Sequence, residues 1–278
     1  MLMIDRVRRM DYATAAAAWV LVLAVGCAKV PVTGRSQLSL IPASEMMAMS
    51  AQQYGQFLTE NPPSKDVAGT AQVQRVGVKI QKAVETFAKE KGFESRIANY
   101  KWEFNLVDSK EVNAWCMPGG KVVVYSGILP VTKDDTGLAV VLGHEIAHAV
   151  AEHGGERMSH EMMAQMGGVA LSEALKTKPA ATQQLWMSAF GVGAQYGALL
   201  PYSRLQESEA DRLGLIFMAI AGYDPQLAPK FWERMSAGKD ASQTPPEIMS
   251  THPSDATRIQ KLKEEMPEAL KYYRPAAK

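Results

Sequence analysis

The stretch from Gly137 to His153 reads GLAVVLGHEIAHAVAEH, and it decides how the rest of the chain is interpreted. Its apolar residues recur with helical spacing, at Leu138, Val141, Leu142, Ile146 and Val150. The segment is therefore predicted to be a helix that ends at the pair Gly154-Gly155. Three preceding polar residues are candidates for its N-cap: Thr132, Asp134 and Asp135.

Two histidines of this helix suggest a metal site. His144 and His148 are four residues apart, so they share one face of a helix. Two imidazoles in this arrangement can bind one Zn²⁺, and Glu145 beside them can take a proton from a water that the metal activates. The alternative is a pair of core histidines on an amphipathic helix, and these residues alone leave both interpretations open.

The composition is that of an ordinary globular protein. The 278 residues are 47% hydrophobic and 21% charged, which is enough apolar material for a core. The formal net charge of +1 gives no reason to expect a nucleic acid partner. The two cysteines, Cys27 and Cys116, form no CxxC pair, so we expect neither a disulfide framework nor a thiolate zinc site.

Residues 1–26 have the features of a signal peptide. A positively charged start precedes an apolar run from Ala13 to Val25, which is too short to span a bilayer comfortably. The run ends at Ala24-Val25-Gly26-Cys27, which resembles the bacterial lipobox, although Ala24 stands where leucine is commoner. The alternatives are an ordinary signal peptide and an uncleaved anchor.

The lipobox resemblance implies that Cys27 is acylated and that residues 27–43 form a lipid-attached tether. Cys116 would then be a free thiol, because it has no other cysteine to pair with. Ala28 follows Cys27, where an aspartate would resemble an inner-membrane retention signal. We therefore expect a periplasmic protein held by its lipid in the inner leaflet of the outer membrane.

The remaining residues predict one α+β, mainly helical domain over 44–270 and a short C-terminal tail over 271–278. Early helices are predicted over Ser44–Leu58 and Ala68–Lys91. Strands are predicted over Lys101–Val107, Glu111–Met117 and Lys121–Ser126. The last two strands flank Gly119-Gly120 and predict a β-hairpin directly before the histidine helix.

The hairpin supplies a candidate substrate-binding edge. Zinc peptidases commonly bind substrate as an extra strand beside the metal, through main-chain hydrogen bonds that depend little on sequence. The expected edge residues are Asn113, Ala114, Trp115 and Cys116. The alternative is a structural hairpin whose edge is covered.

Two apolar helices are expected between Gly155 and Leu199. The first is rich in methionine, and the second is predicted over Thr182–Leu199. Glutamine and serine residues in the second argue against a membrane span. Methionines at helical spacing are more often core residues, and the alternative is a lid over the site.

A third metal ligand is expected in the segment Pro201–Leu215, PYSRLQESEADRLGL. Glu207 and Asp211 are four residues apart and share a helix face. Glu207 would complete a His-His-Glu site that leaves one position for water, as in catalytic zinc sites. Asp211 would accept the free N–H of a ligating histidine.

Three nearby residues are expected to lie away from the metal. Glu209 is about 200° around its helix from Glu207 and should point elsewhere. His153 is about 140° around from His148, off the metal face. His160 is expected to be an ordinary surface residue.

Four motifs together resemble the gluzincin family of HtpX-like and CAAX-prenyl-protease-like metallopeptidases: HEIAH, the ESEAD box, NAWCMPGGKVVVYSGIL and THPSDATRI. Within it, the chain resembles the periplasmic lipoprotein branch, similar to the beta-barrel assembly-enhancing protease, but we expect no C-terminal helical repeat domain. The resemblance implies a zincin-type domain with one Zn²⁺ bound by His144, His148 and Glu207. It also implies that Glu145 is the general base and that Asp211 supports a ligand.

The resemblance gives His252 one of two roles, in a loop that Pro245-Pro246 predicts. It would stabilise the oxyanion, in which case His252→Ala lowers activity, or occupy the fourth zinc position, in which case His252→Ala raises activity. Arg258 would either support His252 as a positive group or form a surface salt bridge.

The sequence thus predicts a zinc metalloendopeptidase that hydrolyses unfolded or misassembled envelope proteins, because strand addition at an edge requires an extended chain. The outer-membrane assembly machinery is a candidate partner. The alternatives are a chaperone-like assembly factor for outer-membrane proteins that rarely cuts, and a zinc hydrolase whose substrate is not a peptide.

Overall fold

The computed structural model describes residues 27–30, 33–237 and 255–275. Within these residues the chain is mainly helical and has two small β-sheets. This confirms the predicted α+β class. His252 and the residues that precede Cys27 lie outside the described ranges.

The elements are numbered along the chain. The helices are α1 (Ala43–Glu60), α2 (Val67–Lys91), α3 (Glu94–Ile97), α4 (Leu129–Thr132), α5 (Asp135–Val150), α6 (His153–Leu175), α7 (Ala180–Ala194), α8 (Leu200–Ile220), α9 (Ala228–Ala237) and α10 (Asp255–Tyr272). The strands are β1 (Cys27–Lys29), β2 (Ser36–Leu38), β3 (Glu103–Val107), β4 (Ala114–Met117) and β5 (Lys121–Tyr125). A π-helical turn, Gln195–Leu199, joins α7 to α8.

The larger sheet contains the predicted hairpin. Its strand order is β3-β5-β4, with β3 parallel and β4 antiparallel to the central β5. Gly119 and Gly120 make the hairpin turn at φ values of 87° and 79°, a conformation that glycine adopts readily. β4 is one of the two outer strands of this sheet, and it packs beside α5.

The N-terminal segment is more folded than the predicted tether. β1 pairs antiparallel with β2, so that Cys27 lies opposite Leu38. Arg35, just before β2, forms ion pairs with Glu156 and Glu209 from distant parts of the chain. The predicted boundary at residue 43 therefore does not separate a free tether from the folded protein. Ion pairs across more than a hundred residues cannot be seen in a local sequence pattern.

α5 is the predicted histidine helix and lies in the hydrophobic core. Asp134 caps it by accepting a hydrogen bond from the Gly137 N–H at 2.8 Å. Between Gly137 and Val150, every residue except Glu145 is buried.

The end of α5 differs from the prediction. Glu152 adopts a left-handed conformation with φ 59°, and α6 begins at the next residue, His153. Gly154 and Gly155 therefore lie inside α6 and do not end the histidine helix. The turn at Glu152 redirects His153 back toward α5, which a count along one continuous helix could not predict.

α6 and α7 pack against each other and expose much of their apolar surface. α7 buries none of its residues. Met162 and Met166 are 39% and 47% exposed, so the core interpretation of these methionines was wrong. In the described part of the chain, no helix combines the length and apolar character needed to cross a membrane.

α5 and α8 approach each other so closely that two glycines are required. A Cβ on Gly143 would lie 2.9 Å from the carbonyl oxygen of Gly214, and a Cβ on Gly214 would lie 2.9 Å from the backbone nitrogen of His144. Both distances fall below normal Cβ contacts and involve backbone atoms, which cannot rotate away. This close contact places the polar residues of α8 beside the histidines of α5.

We expect Gly214→Ala to lower the free energy of unfolding by about 1–3 kcal/mol, because the added methyl pushes α8 away from α5. Gly55→Ala in α1 is the matched control, since its Cβ would meet no atom within 4 Å. Alanine should stabilise that helix by roughly 0.5–1 kcal/mol. Urea denaturation measures both, and equal stability of the two variants would contradict the close packing.

Candidate metal centre

The three predicted ligands meet at one point between α5 and α8. The Nε2 atoms of His144 and His148 lie 3.1 Å apart. Glu207 approaches both rings, with Oε1 3.2 Å from His148 Nε2 and Oε2 3.5 Å from His144 Nε2. All three side chains are buried.

The dimensions of this triangle fit zinc. Zn²⁺ binds nitrogen and oxygen at about 2.0–2.2 Å with tetrahedral geometry, which places neighbouring ligand atoms about 3.3 Å apart. The three observed separations lie close to that value on either side. Two imidazoles and one carboxylate are also the ligand types of a catalytic zinc site, in which the fourth position is left for water.

The pKa values of the two histidines are shifted in opposite directions. Burial lowers the pKa of His148 to about 3, so its ring is neutral. Burial and Arg258 also act to lower the pKa of His144, but hydrogen bonds to Asp211 and Glu207 outweigh them and raise it to about 9. A metal ligand must be a neutral imidazole, so binding at His144 displaces a proton.

Asp211 lies where the sequence prediction put it. Its Oδ1 is 2.9 Å from Nδ1 of His144, the ring nitrogen that does not face the ligand triangle. Arg258 donates a hydrogen bond to the same oxygen at 2.6 Å. A carboxylate in this position fixes the tautomer and orientation of the ligating ring.

Arg258 is not the surface salt bridge that was one of its two predicted roles. Only 5% of the residue is exposed, and its guanidinium lies 3.3 Å from the ring centroid of Trp232. The ion pair with Asp211 and the cation–π contact explain how α10 places a full positive charge in the interior.

His153 and Glu209 do not bind at the triangle, as predicted, but they contact its outer side. Nδ1 of His153 is 2.9 Å from Nδ1 of His148, and Nε2 of His153 is 3.0 Å from Oε2 of Glu209. Both residues are buried. Helix geometry predicts that both residues point away from the metal, and the one sequence signal for their contact with the site is a further histidine shortly after the HEIAH motif.

Glu145 lies next to His144 on α5 and is the one residue between Gly137 and Val150 that keeps part of its surface exposed. Burial has the largest effect and raises the pKa of the Glu145 carboxyl, and the negative charge of Glu207 adds to it. A carboxylate with a raised pKa is a stronger base than an ordinary surface glutamate.

A cleft of about 320 Å³ opens beside Glu207 between α6 and the start of α8. Its wall includes Arg157, Glu161 and Tyr202. His160, expected at the surface, is half-buried in this wall and lies against Tyr202 with ring centroids 4.3 Å apart. The base of the α6–α7 pair therefore borders the metal site.

Three of the predicted edge residues, Ala114, Trp115 and Cys116, lie on β4 next to α5, and Asn113 directly precedes that strand. Cys116 is a free cysteine of β4. Burial raises the pKa of its thiol, and so does the nearby charge of Glu145. β4 therefore runs close to the carboxylate beside the ligand triangle.

Comparisons with known proteins point to one family. Residues 75–266 match the model of peptidase family M48. The chain is 38% identical over 175 residues to mitochondrial metalloendopeptidase OMA1 of Schizosaccharomyces pombe, covering 63% of this chain and 50% of that protein. It is 32% identical over 247 residues to OMA1 of Bos taurus, covering 87% of this chain and 46% of that protein.

A more distant similarity is to the beta-barrel assembly-enhancing protease of Escherichia coli, with 29% identity over 168 residues, 57% of this chain and 33% of that protein. The chain thus spans about half the length of the OMA1 relatives, or less. The family match covers both helices of the ligand triangle, whose side chains fit zinc. The chain therefore belongs to peptidase family M48, a family of zinc-dependent metallopeptidases.

Proposed function

We propose that this chain is a zinc metalloendopeptidase that cleaves extended, unfolded segments of other polypeptides. The observation that carries the proposal is the buried triangle of His144, His148 and Glu207, with the carboxyl of Glu145 beside it. When bound, zinc polarises a peptide carbonyl and lowers the pKa of water to about 7.

Each protein group then has a distinct task. Glu145 takes a proton from the attacking water and passes it to the leaving amine. Asp211 holds the ring of His144 through Nδ1, at 2.9 Å. Arg258 keeps Asp211 ionised, because burial alone would raise the pKa of Asp211 and the guanidinium lowers it instead.

Glu145→Gln should abolish proteolysis and leave the zinc content unchanged, because the amide cannot accept a proton but has nearly the same size. The control is Glu85→Gln on the exposed face of α2, which should keep full activity. Casein digestion with and without a chelator measures activity, and atomic absorption measures zinc. Retained digestion by Glu145→Gln would exclude Glu145 as the general base.

The same variant distinguishes our proposal from its main alternative, a chaperone-like assembly factor for outer-membrane proteins with a rarely used protease site. Under that alternative, Glu145→Gln keeps most of the function in cells that lack the wild-type gene. A zinc hydrolase acting on a non-peptide substrate is excluded if casein is cleaved in a chelator-sensitive way.

Substrate binding at the outer edge of β4 is supported by the strand register. Tyr125 donates its N–H to the carbonyl of Asn113 at 3.0 Å. Because antiparallel pairs alternate, Ala114 and Cys116 direct their backbone groups away from β5. The Ala114 N–H is already bonded to the Asn113 side chain at 2.9 Å, which leaves the Cys116 N–H as the donor suited to an added strand.

Cys116→Pro should raise KM for an extended peptide and change kcat little, because proline removes that outward N–H and preserves the bonds to β5. Cys116→Ala is the control and should leave KM unchanged. A fluorogenic peptide assay gives both constants, and zinc content and melting temperature confirm that the variant folds. An unchanged KM in a folded, zinc-loaded Cys116→Pro protein would rule out this edge.

We further propose that the substrates are unfolded or misassembled envelope proteins and that Cys27 is lipid-anchored, as in the periplasmic lipoprotein branch. The lipobox-like residues before Cys27 support this lipid-anchored, periplasmic location. The named relatives include both mitochondrial OMA1 and the beta-barrel assembly-enhancing protease, so they do not decide between compartments.

Radioactive palmitate should label the wild-type protein in a bacterial host and fail to label Cys27→Ser. Cys116→Ser is the control and should still be labelled. The labelled protein should sediment with outer membranes. An unlabelled, freely soluble wild-type product would end the lipoprotein proposal without affecting the peptidase proposal.

A further inference from the structure

The metal ligand His148 is connected to the N-terminal strap, defined here as residues 33–38, by consecutive polar contacts. His148 meets His153 at 2.9 Å, and His153 meets Glu209 at 3.0 Å. Arg35 of the strap contacts Glu209 Oε2 through Nη2 at 2.9 Å and through Nε at 3.1 Å. Thr33 donates its hydroxyl to the other oxygen of Glu209.

When Nε2 of His148 faces a metal, these contacts allow only one placement of the hydrogens on the imidazole rings of His148 and His153. A neutral ligating imidazole then carries its hydrogen on Nδ1. His148 Nδ1–H must donate to Nδ1 of His153, so His153 carries its own hydrogen on Nε2. That hydrogen is donated to the Glu209 carboxylate. Every donor is thus matched to an acceptor, and the orientation of both rings is fixed.

The charge of the cluster also favours a bound cation. Arg35 forms a two-bond contact with Glu156, at 2.6 and 2.8 Å, in addition to its contacts with Glu209. Two carboxylates therefore face one guanidinium, which leaves one net negative charge behind His148.

We propose that Arg35 and Thr33 are positioning residues of the metal centre, which act on His148 through Glu209 and His153. The proposal rests on the proposed zinc site. Its consequence is that docking of the N-terminal strap and zinc affinity are coupled. Because coupling between two binding events is reciprocal, zinc must hold the strap in place as firmly as the strap favours zinc.

The first test measures zinc affinity by competition with a chromophoric chelator. Arg35→Ala, Glu209→Gln and His153→Phe should each bind zinc about 10–100-fold more weakly, the usual effect of residues behind a metal ligand. Arg75→Ala is the control. It breaks an equally close two-bond contact, with Asp135 at 2.7 and 2.9 Å, but does not lie on the path to His148.

A conservative variant separates positioning from loss of packing. The side-chain oxygen of His153→Asn can still accept from His148, but asparagine is too short to reach Glu209. Its zinc affinity should lie between those of wild type and His153→Phe. The visible spectrum of the cobalt-substituted protein should shift in the same order, because it reports the ligand geometry around the metal.

The second test measures the coupling from the strap. Trypsin cleaves after Arg35 when the strap detaches. Mass spectrometry should find faster cleavage of the Arg35–Ser36 bond in chelator-treated wild type than in zinc-loaded wild type. In Glu209→Gln, cleavage should be fast with or without zinc.

The outcomes separate the two proposals. Wild-type protein that binds no zinc would overturn the proposed zinc site. Wild type that binds zinc, with unchanged affinity and cobalt spectrum in Arg35→Ala, Glu209→Gln and His153→Phe, would overturn the positioning role alone. Equal rates of cleavage after Arg35 in zinc-loaded and chelator-treated wild type would also overturn the positioning role.

Discussion

The close contact of α5 with α8 at Gly143 and Gly214 is the constraint on which the site depends. A carboxylate from one helix reaches two imidazoles on another only when the backbones nearly touch, and here a Cβ on either glycine would meet backbone at 2.9 Å. The separations of Glu207 from the two histidines, 3.2 and 3.5 Å, are set by this crossing. A shift of an ångström between the helices would spoil a tetrahedral site. The close packing of α5 against α8 is therefore needed for metal binding as well as for stability.

The ESEAD box distributes three carboxylates around this crossing. Glu207 faces the triangle, Asp211 backs His144 directly, and Glu209 reaches His148 through His153. Each ligating ring is therefore held by an anion. Asp211 contacts His144 directly, and Glu209 acts on His148 through His153. The first and fifth positions of the box share a helix face, whereas the third points to another side, where the turn at Glu152 brings His153 within 3.0 Å of Glu209.

The sequence predicted the part of the site that depends on local geometry. A spacing of four on a helix placed His144 with His148 and Glu207 with Asp211, because helical periodicity is regular. Contacts made after a change of chain direction could not be predicted in that way. His153 was placed by extending α5 past Glu152, whose left-handed φ of 59° ends that helix. The partner of Glu209 was equally hidden, since Arg35 lies 174 residues away along the chain.

The arrangement of charges indicates how the site can hold its shape without depending on the metal for folding. Asp211 and Glu209 are buried carboxylates, which would be costly without partners. Each has an arginine close by, Arg258 at 2.6 Å and Arg35 at 2.9 Å, so neither needs a metal to balance its charge. Zinc-finger domains, by contrast, unfold when the metal leaves because the metal supplies much of the folding energy. Here the arginines balance the charges of the buried carboxylates, and the hydrophobic residues around α5 contribute folding energy in which the metal takes no part.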